Sequence, residues 1–485
     1  MSKKIISIDQ GTTSSRAVVF DEEGKLIDFE QKEFSQIFPN DGWVEHNPEE
    51  IWSSVVLVTK TLIKRLNLLP EDIASIGITN QRETTIIWDK DTGEVIYNAI
   101  VWQDRRTSSF CDSLRSEEDR IKKKTGLIID PYFSATKIHW LLDNIEGARK
   151  RAENGGLLFG TIDSFLMWRL TEGREHRTDA SNAARTMLYN INSNEWDEEL
   201  LSLFNIPSSL LPEVCDNAFD FGHTNLFGGK ISIGGSAGDQ QSALIGQCCF
   251  EPGEVKSTYG TGCFMIVNTG EEVLQSNNKL LSTIGYRLKG KTTYALEGSI
   301  FVAGSAIQWL RDGLNFFEHA SESESLVKQA NKDSQVIAVP ALTGLGAPHW
   351  DAEARGAIFG LTRDTGVPEI TKAVIESIVF QTKDLLEAMK KDKALFKSLK
   401  VDGGMVANDW FNQELANVLQ LSVFRPKIIE TTALGSAYLA GLSAGVFESL
   451  EDLKSNWSVD KQFNPLESSS KYTEWQEAVK KVLSD

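Results

Sequence analysis

The chain contains 485 residues, of which 41% are hydrophobic and 24% are charged, and its formal net charge at pH 7 is −18. This length predicts two or three domains with sizeable cores, and the composition is typical of a soluble globular protein. The acidic balance argues against nucleic-acid binding, which would require a basic face, so a polyanionic ligand would need a locally basic pocket.

The cysteines and histidines do not indicate a disulfide framework or a metal site. The five cysteines include no pair separated by two residues, and the six histidines are scattered. The first apolar run ends at Asp9 and is too short for a signal peptide, and no other run approaches the length of a membrane-spanning helix. We therefore expect a cytoplasmic protein that does not insert into a membrane.

The first predicted element is a hairpin whose turn lies within residues 9–16. This segment joins one carboxylate, a glycine, four hydroxyl side chains and Arg16 between two apolar runs. Asp9, at the end of a buried strand, suits Mg²⁺, which keeps most of its waters and binds one or two carboxylates together with substrate phosphates. Hydroxyl groups and a guanidinium bind phosphate oxygens through charge-assisted hydrogen bonds. A plain polar hairpin with a solvated arginine is the alternative that this segment leaves open.

A third strand over residues 26–34 and a helix follow the hairpin. Asn47 favours the N-cap position of this helix, and Pro48 suits its first turn. The helix carries an apolar stripe, made of Ile51, Val55, Val58, Leu62 and Leu66. Residues 73–78 form the next predicted strand, which polar residues 79–83 end. A meander, a crossover helix and a further strand predict a mixed α/β sheet with functional residues at the strand ends.

Asp239 lies in a segment that predicts a strand, a tight turn and a helix in succession. The strand covers residues 231–235, the glycine turn 236–241 and the helix start 242–245. An aspartate at the N-terminus of a helix is ionised at neutral pH and can accept the proton of a hydroxyl that attacks a phosphoryl group. An ordinary helix-capping aspartate is the alternative.

The pattern that opens the chain recurs near residue 253. Residues 254–258 and 263–267 predict strands joined by a turn, which repeats the opening hairpin in outline and suggests a tandem of related lobes. A long helix that begins near Pro368 is apolar on one side only, as in a surface helix packed on a sheet.

A paired-glycine turn follows a predicted strand at residues 400–402. Gly403 and Gly404 allow the backbone to approach a flat or phosphorylated ligand closely, and Asn408 favours the N-cap of the next helix. A plain turn is the alternative. The polar stretches 321–325 and 468–470 are predicted loops or helix edges without function.

Taken in this order, these segments resemble the FGGY family of carbohydrate kinases, within the actin, hexokinase and Hsp70 ATPase superfamily. Residues 132–140, and 344–350 through 360–363, look like the two signature regions of the family. The resemblance covers essentially the whole chain. It implies two actin-like, ribonuclease H-like α/β lobes with mixed sheets flanked by helices and a cleft between them. We expect the lobes to span residues 1–248, with the phosphate turn and substrate site, and 249–485, with the nucleotide site.

Residues 81–84 and 101–106 resemble the family members that phosphorylate glycerol rather than a pentulose or gluconate. The resemblance implies that glycerol contacts Arg82, Glu83, Trp102, Tyr132, Asp239, Gln240 and Phe264. A site that pairs each hydroxyl of a triol rejects analogues that leave buried polar groups unmatched. For Trp102 and Phe264, ordinary core packing is the alternative.

The resemblance also implies ATP and Mg²⁺ in the cleft and glycerol 3-phosphate as the product. Asp9 would lie near Mg²⁺, and Asp239 would be the catalytic base. The residues expected to contact ATP or ADP are Thr12, Thr13, Ser14, Arg16, Thr261, Gly304, Gln308, Gly404 and Asn408.

Three other functions compete with this interpretation. The nearest is a kinase of the same family for another small polyol or ketose. A non-kinase actin-like ATPase is disfavoured by Asp239 beside the pair Arg82 and Glu83. A catalytically silent metabolite sensor is disfavoured by the intact set of Asp9, Arg16 and Asp239. Related enzymes form dimers or tetramers, so we expect a homodimer or homotetramer.

Overall fold

The computed structural model describes residues 3–466 and 471–484, which fold around two large mixed sheets. The predicted polar stretch 468–470 lies outside the described residues. No helix within them is long and apolar enough to cross a membrane. All five cysteines are buried and free.

The first large sheet is built entirely from the N-terminal half of the chain. From edge to edge its strands are His223–Thr224, Ile231–Gly238, Ile73–Asn80, Lys4–Gln10, Ser14–Phe20 and Leu26–Glu33. The second, third and fourth strands in this order are parallel, and the last three form an antiparallel meander. The predicted opening hairpin, third strand and mixed sheet are confirmed.

The second large sheet repeats this arrangement with strands from the C-terminal half. In order they are Leu281–Leu288, Lys291–Ile300, Cys263–Gly270, Glu254–Tyr259, Ser398–Asp402, Val423–Pro426 and Val459–Phe463. The fourth, fifth and sixth are parallel, and the hairpin that begins at Glu254 takes the place of the opening hairpin. The predicted repeat of the opening hairpin near residue 253 is therefore confirmed.

Helices and short strand pairs surround the two sheets. The helices are Pro48–Arg65, Ser108–Ser113, Glu118–Thr125, Ser134–Asn144, Ala148–Glu153, Ile162–Leu170, Ala180–Ala183, Glu198–Leu203, Asp239–Gly246, Gly304–Gln308, Ser323–Gln329, Val367–Lys391, Asp409–Leu419, Thr431–Ser443, Leu450–Asn456 and Tyr472–Lys480. The short pairs are Glu45–His46 with Ala99–Ile100, Ile86–Asp89 with Leu157–Gly160, Arg177–Asp179 with Glu213–Cys215, Tyr189–Asn190 with Glu195–Trp196, and Ile337–Val339 with Ala357–Phe359.

The helix Pro48–Arg65 begins where its sequence predicts. The side chain of Asn47 accepts a hydrogen bond from the Glu49 backbone N–H at 2.9 Å, which satisfies one of the unpaired donors of the first turn. The predicted apolar stripe faces the first sheet, where Ile51 and Val55 are fully buried. Local capping and the apolar period together fix this element.

Two sequence-based expectations are wrong in detail. The strand Ile231–Gly238 runs directly into the helix Asp239–Gly246, without the turn expected over residues 236–241, because its pairing with the neighbouring strand continues to its last residue. Asp239 is thus the first helical residue.

The helix Val367–Lys391 is less exposed than a surface helix, since Glu376 is buried between Lys372 and Lys471, with N–O distances of 3.6 and 3.5 Å.

The helix Thr431–Ser443 joins the two halves of the molecule by packing against the helix Asp239–Gly246 and against the first sheet. Glycines allow the two helices to meet at backbone distance. A Cβ atom on Gly435 would lie 1.8 Å from the Ser242 carbonyl oxygen, and one on Gly246 would lie 2.0 Å from the carbonyl oxygen of Thr431. The helix that carries Asp239 is therefore held at a fixed distance from the C-terminal half.

We expect Gly435→Ala to lower the midpoint of thermal unfolding, because the added methyl group has no space and overpacking typically costs about 1–3 kcal/mol. Differential scanning calorimetry measures the change. Gly156→Ala is the control, since its Cβ would meet its nearest atom at 3.4 Å. Equal midpoints for the two variants would show that the helices can separate without cost.

Candidate active site

The opening hairpin presents hydroxyl groups that can donate to a ligand. The Gly11 N–H donates to the Ser14 carbonyl at 2.9 Å, which closes a tight turn and leaves Thr13 exposed. The Thr12 hydroxyl accepts from Trp102 Nε1 at 3.0 Å, and the Ser14 hydroxyl accepts from a glutamine at 2.8 Å. Because each hydroxyl accepts from the protein, its own proton stays available for a phosphate oxygen.

Arg16 lies opposite Asp9 across this hairpin and forms an ion pair with Glu430. Burial raises the pKa of Asp9 to about 7, Arg16 opposes the rise, and Glu430 and Asp239 add to it. The negative charge of these three carboxylates suits a bound divalent cation. Among the described residues no group of three or more metal-binding side chains is arranged to hold an ion, but Mg²⁺ needs only one or two carboxylates when phosphates supply other ligands.

A chain of buried polar groups connects this hairpin to residues 81–84. His46 Nε2 lies 2.7 Å from Gln36 Oε1, and Gln81 Nε2 lies 3.4 Å from His46 Nδ1. Gln36 and Gln81 in turn donate to the carbonyl oxygens of Thr12 and Gly11. This pattern requires a neutral His46, with Nε2 as the donor and Nδ1 as the acceptor.

Arg82 forms its two shortest ion pairs with Asp239 and Glu297. Its Nε atom lies 3.0 Å from Asp239 Oδ1, and its Nη1 atom lies 2.5 Å from Glu297 Oε2. The Arg82 side chain is 2% exposed and that of Asp239 is 33% exposed. The buried guanidinium thus orients a carboxylate that a ligand can still reach.

Glu83 has a backbone φ of 60°, which is uncommon for a residue other than glycine. Its carbonyl oxygen accepts hydrogen bonds from the hydroxyls of Ser134 and Thr85, at 2.9 and 3.0 Å. Its carboxylate accepts from Arg185 Nε at 2.6 Å. Burial raises the pKa of Glu83, against the opposing effects of Arg185 and Arg82.

Aromatic rings lie beside Arg82. The rings of Trp102 and Tyr132 meet edge to face at 5.6 Å, and the Phe264 ring centroid lies 5.8 Å from the Arg82 guanidinium carbon. All three rings are only partly buried, and among the described residues Trp102 and Phe264 belong to no hydrophobic core cluster. Core packing therefore does not account for these two side chains.

Gln240 follows Asp239 and is held by a lysine of the second hairpin. The Gln240 Oε1 atom accepts a hydrogen bond from Lys256 Nζ, which also donates to the Thr258 hydroxyl at 2.9 Å. Burial lowers the pKa of Lys256, which Asp402 and Asp239 oppose. Because its oxygen is occupied, Gln240 has its amide N–H groups left to offer a ligand.

The remaining predicted residues surround the end of the second hairpin. The Thr261 carbonyl accepts from the N–H groups of Ala303 and Ser305, both at 3.0 Å, which brings Gly304 against the hairpin. A Cβ atom on Gly304 would lie 2.4 Å from the Gly260 oxygen, and one on Gly403 would lie 2.4 Å from the Tyr259 oxygen. Three loops therefore meet here at backbone distance.

Gly404 and Asn408 lie on one of these loops, and Gln308 ends the helix Gly304–Gln308. Nothing lies within 4 Å of the position that a Gly404 Cβ would occupy, so a flat group has access there. Asn408 caps its helix as predicted, accepting from the Phe411 N–H at 3.0 Å. Gln308 is exposed.

Sequence reasoning missed three charged residues of the site, namely Arg185, Lys256 and Glu297. Lys256 had a weak signal, because it is a cation on a strand of the second hairpin, which repeats the opening hairpin in outline. Arg185 and Glu297 had none. Their partners are more than a hundred positions away, at sequence separations of 102 for Arg185 with Glu83 and 215 for Glu297 with Arg82.

Residues 4–246 match the model of the N-terminal domain of the FGGY family of carbohydrate kinases, and residues 255–444 match that of its C-terminal domain. This chain belongs to the FGGY family. The resemblance inferred from the sequence motifs is confirmed, and so is the fold of two actin-like lobes. The expected boundary between residues 248 and 249 falls between the two matches and stays a prediction.

The relatives that match this FGGY kinase over its full length include glycerol kinases. It is 58% identical to glycerol kinase of Marinomonas sp. (strain MWYL1), with 99% of each chain covered. It is 57% identical to glycerol kinase 1 of Pseudomonas aeruginosa, with 100% of each covered. Among solved structures it is similar to Plasmodium falciparum glycerol kinase with ADP, at 37% identity and a TM-score of 0.93, covering 100% of this chain and 99% of the other.

Acid should destabilise the protein through His46, because burial lowers the pKa of this residue from 6.5 to about 4. Since the folded pKa lies below the unfolded one, the stabilisation is complete above pH 6.5 and is lost as the pH falls towards 4. The expected loss is about 3 kcal/mol. His176, whose pKa burial also lowers to about 4, acts in the same direction.

Thermal unfolding at pH 6.5 and pH 4.5 tests this expectation. The midpoint should fall less between the two pH values in His46→Gln than in the wild type. His319→Gln, at an exposed position, is the control and should keep the wild-type difference. If the unfolding midpoint of His46→Gln falls between the two pH values by as much as that of the wild type, His46 does not titrate in this range.

Proposed function

We propose that this chain transfers the γ-phosphoryl group of ATP to a terminal hydroxyl of glycerol and produces glycerol 3-phosphate. The observation that carries the proposal is the Asp239 carboxylate, held at 3.0 Å by Arg82 at the boundary of the phosphate hairpin and the aromatic rings. Family membership and full-length similarity to glycerol kinases support the same reaction.

The glycerol site suits a small triol. Arg82, the amide nitrogen of Gln240 and the Tyr132 hydroxyl can donate to its oxygens, and Glu83 can accept from a hydroxyl. Trp102 and Phe264 would cover the carbon skeleton of glycerol. The buried polar groups would be left unmatched by a substrate that lacks one of the hydroxyls, which gives a basis for selectivity.

Asp239 is the proposed general base. Its Oδ1 atom faces Arg82 and accepts the Gln240 backbone N–H at 2.7 Å. Oδ2 is left to receive the proton of the attacking glycerol hydroxyl. Because the carboxylate is fixed by two donors on one oxygen, it can hold the hydroxyl in line with the phosphorus.

The opening hairpin is the proposed phosphate site. The hydroxyls of Thr12, Thr13 and Ser14 would donate to the terminal phosphates, and Arg16 would offset the charge of the transferring group. Asp9 would hold the Mg²⁺ ion, which neutralises phosphate charge when it is bound with the nucleotide.

The loops at the end of the second hairpin are the proposed site for the rest of ATP or ADP. Thr261, Gly304, Gln308, Gly404 and Asn408 would contact it, and the open space beside Gly404 suits a flat base. We further propose that residues 1–248 and 249–485 act as the two lobes, that the protein works in the cytoplasm, and that it forms a homodimer or homotetramer.

A panel of acceptors tests the substrate. With ATP and Mg²⁺, a coupled assay of ADP release should give the highest kcat/KM for glycerol, compared with xylulose, ribulose and gluconate. A higher value for a ketose or gluconate would assign the enzyme to another substrate of the family. ADP release at an equal rate without any acceptor would identify an ATPase instead.

Asp239→Asn should lower kcat by about 10²- to 10⁴-fold, because an amide cannot accept the hydroxyl proton and general bases contribute about this much. Steady-state kinetics measure kcat, and thermal unfolding checks the fold. Asp216→Asn is a matched control, since Asp216 forms an ion pair with Arg287 at 2.6 Å outside the proposed site. If Asp239→Asn unfolds normally and keeps more than about a tenth of the wild-type kcat, Asp239 is not the base.

A further inference from the structure

Glu297 extends from the second sheet towards the first lobe. It lies on the strand Lys291–Ile300, opposite Ile266, while Phe264 lies opposite Ser299 two positions along. Residues that are opposite each other, or two apart on one strand, share a face of a sheet. Glu297 therefore points to the same side as Phe264 and Ile266, the side on which Ile266 shares a buried cluster with Leu244 of the helix Asp239–Gly246.

Both oxygens of Glu297 are bound by arginines of the other lobe. Oε1 accepts from Arg82 Nη2 at 3.2 Å and from Arg185 Nη2 at 3.0 Å, and Oε2 accepts from Arg82 Nη1 at 2.5 Å. The contact with Arg82 is bidentate, the geometry that orients a guanidinium most strictly.

The two arginines in turn orient the carboxylates of Asp239 and Glu83. Because Glu297 holds Nη1 and Nη2 of Arg82, the Nε edge of the guanidinium faces Asp239. Arg185 is held through Nη2, so its Nε edge faces Glu83. One carboxylate thus sets the direction of both guanidiniums, and these in turn hold the proposed base and the proposed acceptor of the substrate.

Water has little access to compensate for a lost Glu297 charge, because the side chains of Arg82, Arg185, Glu83 and Glu297 are at most 2% exposed. Burial acts to raise the pKa of Glu297, but Arg185 and Arg82 outweigh it and bring the value to about 2. Nη1 of Arg185 is already buried without a hydrogen-bond partner. Two adjacent buried guanidiniums would then share too few acceptors and would have to move.

We propose that Glu297 is a positioning residue for the glycerol site, which acts from the second lobe by fixing Arg82 and Arg185. The inference rests on the proposed function. It assigns to Glu297 no contact with glycerol and no part in proton transfer. Its loss should therefore impair glycerol binding first, while the nucleotide loops, which contain neither of the arginines bound to Glu297, stay intact.

Glu297→Gln tests the inference, because glutamine keeps the size and one acceptor oxygen but removes the charge. The glycerol KM should rise at least tenfold, and the ATP KM should stay within about twofold of the wild-type value. The rise in unfolding midpoint that saturating glycerol gives the wild type should shrink in the variant, whereas the rise given by ADP should persist. This second measurement does not depend on catalysis.

Glu376→Gln is the matched control, since Glu376 is also a buried glutamate paired with two cations. It can lower the unfolding midpoint but should leave the glycerol KM unchanged. Glu297→Asp keeps the charge while it shortens the side chain, so it should raise the glycerol KM less than Glu297→Gln does. Glu297→Asp also serves as the test if Glu297→Gln does not fold.

Two results would overturn the inference separately. If the wild type is active and the folded Glu297→Gln variant has the wild-type glycerol KM, Glu297 only stabilises the fold. The same conclusion follows from a wild-type KM in Glu297→Asp if Glu297→Gln does not fold. A wild type that neither binds nor phosphorylates glycerol would overturn the proposed function and the inference with it.

Discussion

Charges removed from water must be paired, and this constraint governs the centre of the molecule. Arg82, Glu83, Arg185 and Glu297 come from three distant segments of the chain and are almost fully buried where the lobes meet. Removing one partner from such a cluster leaves an uncompensated charge and is strongly destabilising. The segments that carry these side chains are therefore held in one relative arrangement, and the ligand-facing atoms follow from it.

A second constraint acts on the backbone. Gly246 and Gly435 allow two helices from different halves of the chain to touch, and the first of these helices begins with Asp239. Tight packing and ion pairing thus fix the same carboxylate from two sides. A catalytic group needs such support, because small displacements of a base reduce its effectiveness.

The charge distribution of the site differs from that of the whole protein. The chain carries a net charge of −18, yet the opening hairpin and the proposed glycerol site contain or adjoin Arg16, Arg82 and Arg185. These cations are balanced by carboxylates, including Glu430 at Arg16. A site of this kind suits a polyanion that arrives with its own divalent cation, as the proposed Mg-ATP would, better than a bare polyanion.

Elements whose causes are local follow from the amino-acid sequence alone. The cap at Asn47, the opening hairpin and its repeat at Glu254 were predicted because capping, turn residues and apolar periods act over a few positions. The family motifs predicted which residues would face the substrate and nucleotide, and the structure brings Arg82, Asp239, Trp102 and Phe264 together.

The other features could not be predicted from the sequence, because they depend on tertiary contacts between distant segments. The strand before Asp239 extends through an expected turn since a neighbouring strand pairs with it, and Glu376 is buried because two lysines neutralise its charge. Arg185, Lys256 and Glu297 resemble ordinary charged residues in the sequence. They gain their places in the site from partners that folding brings to them from the other lobe or from a distant loop.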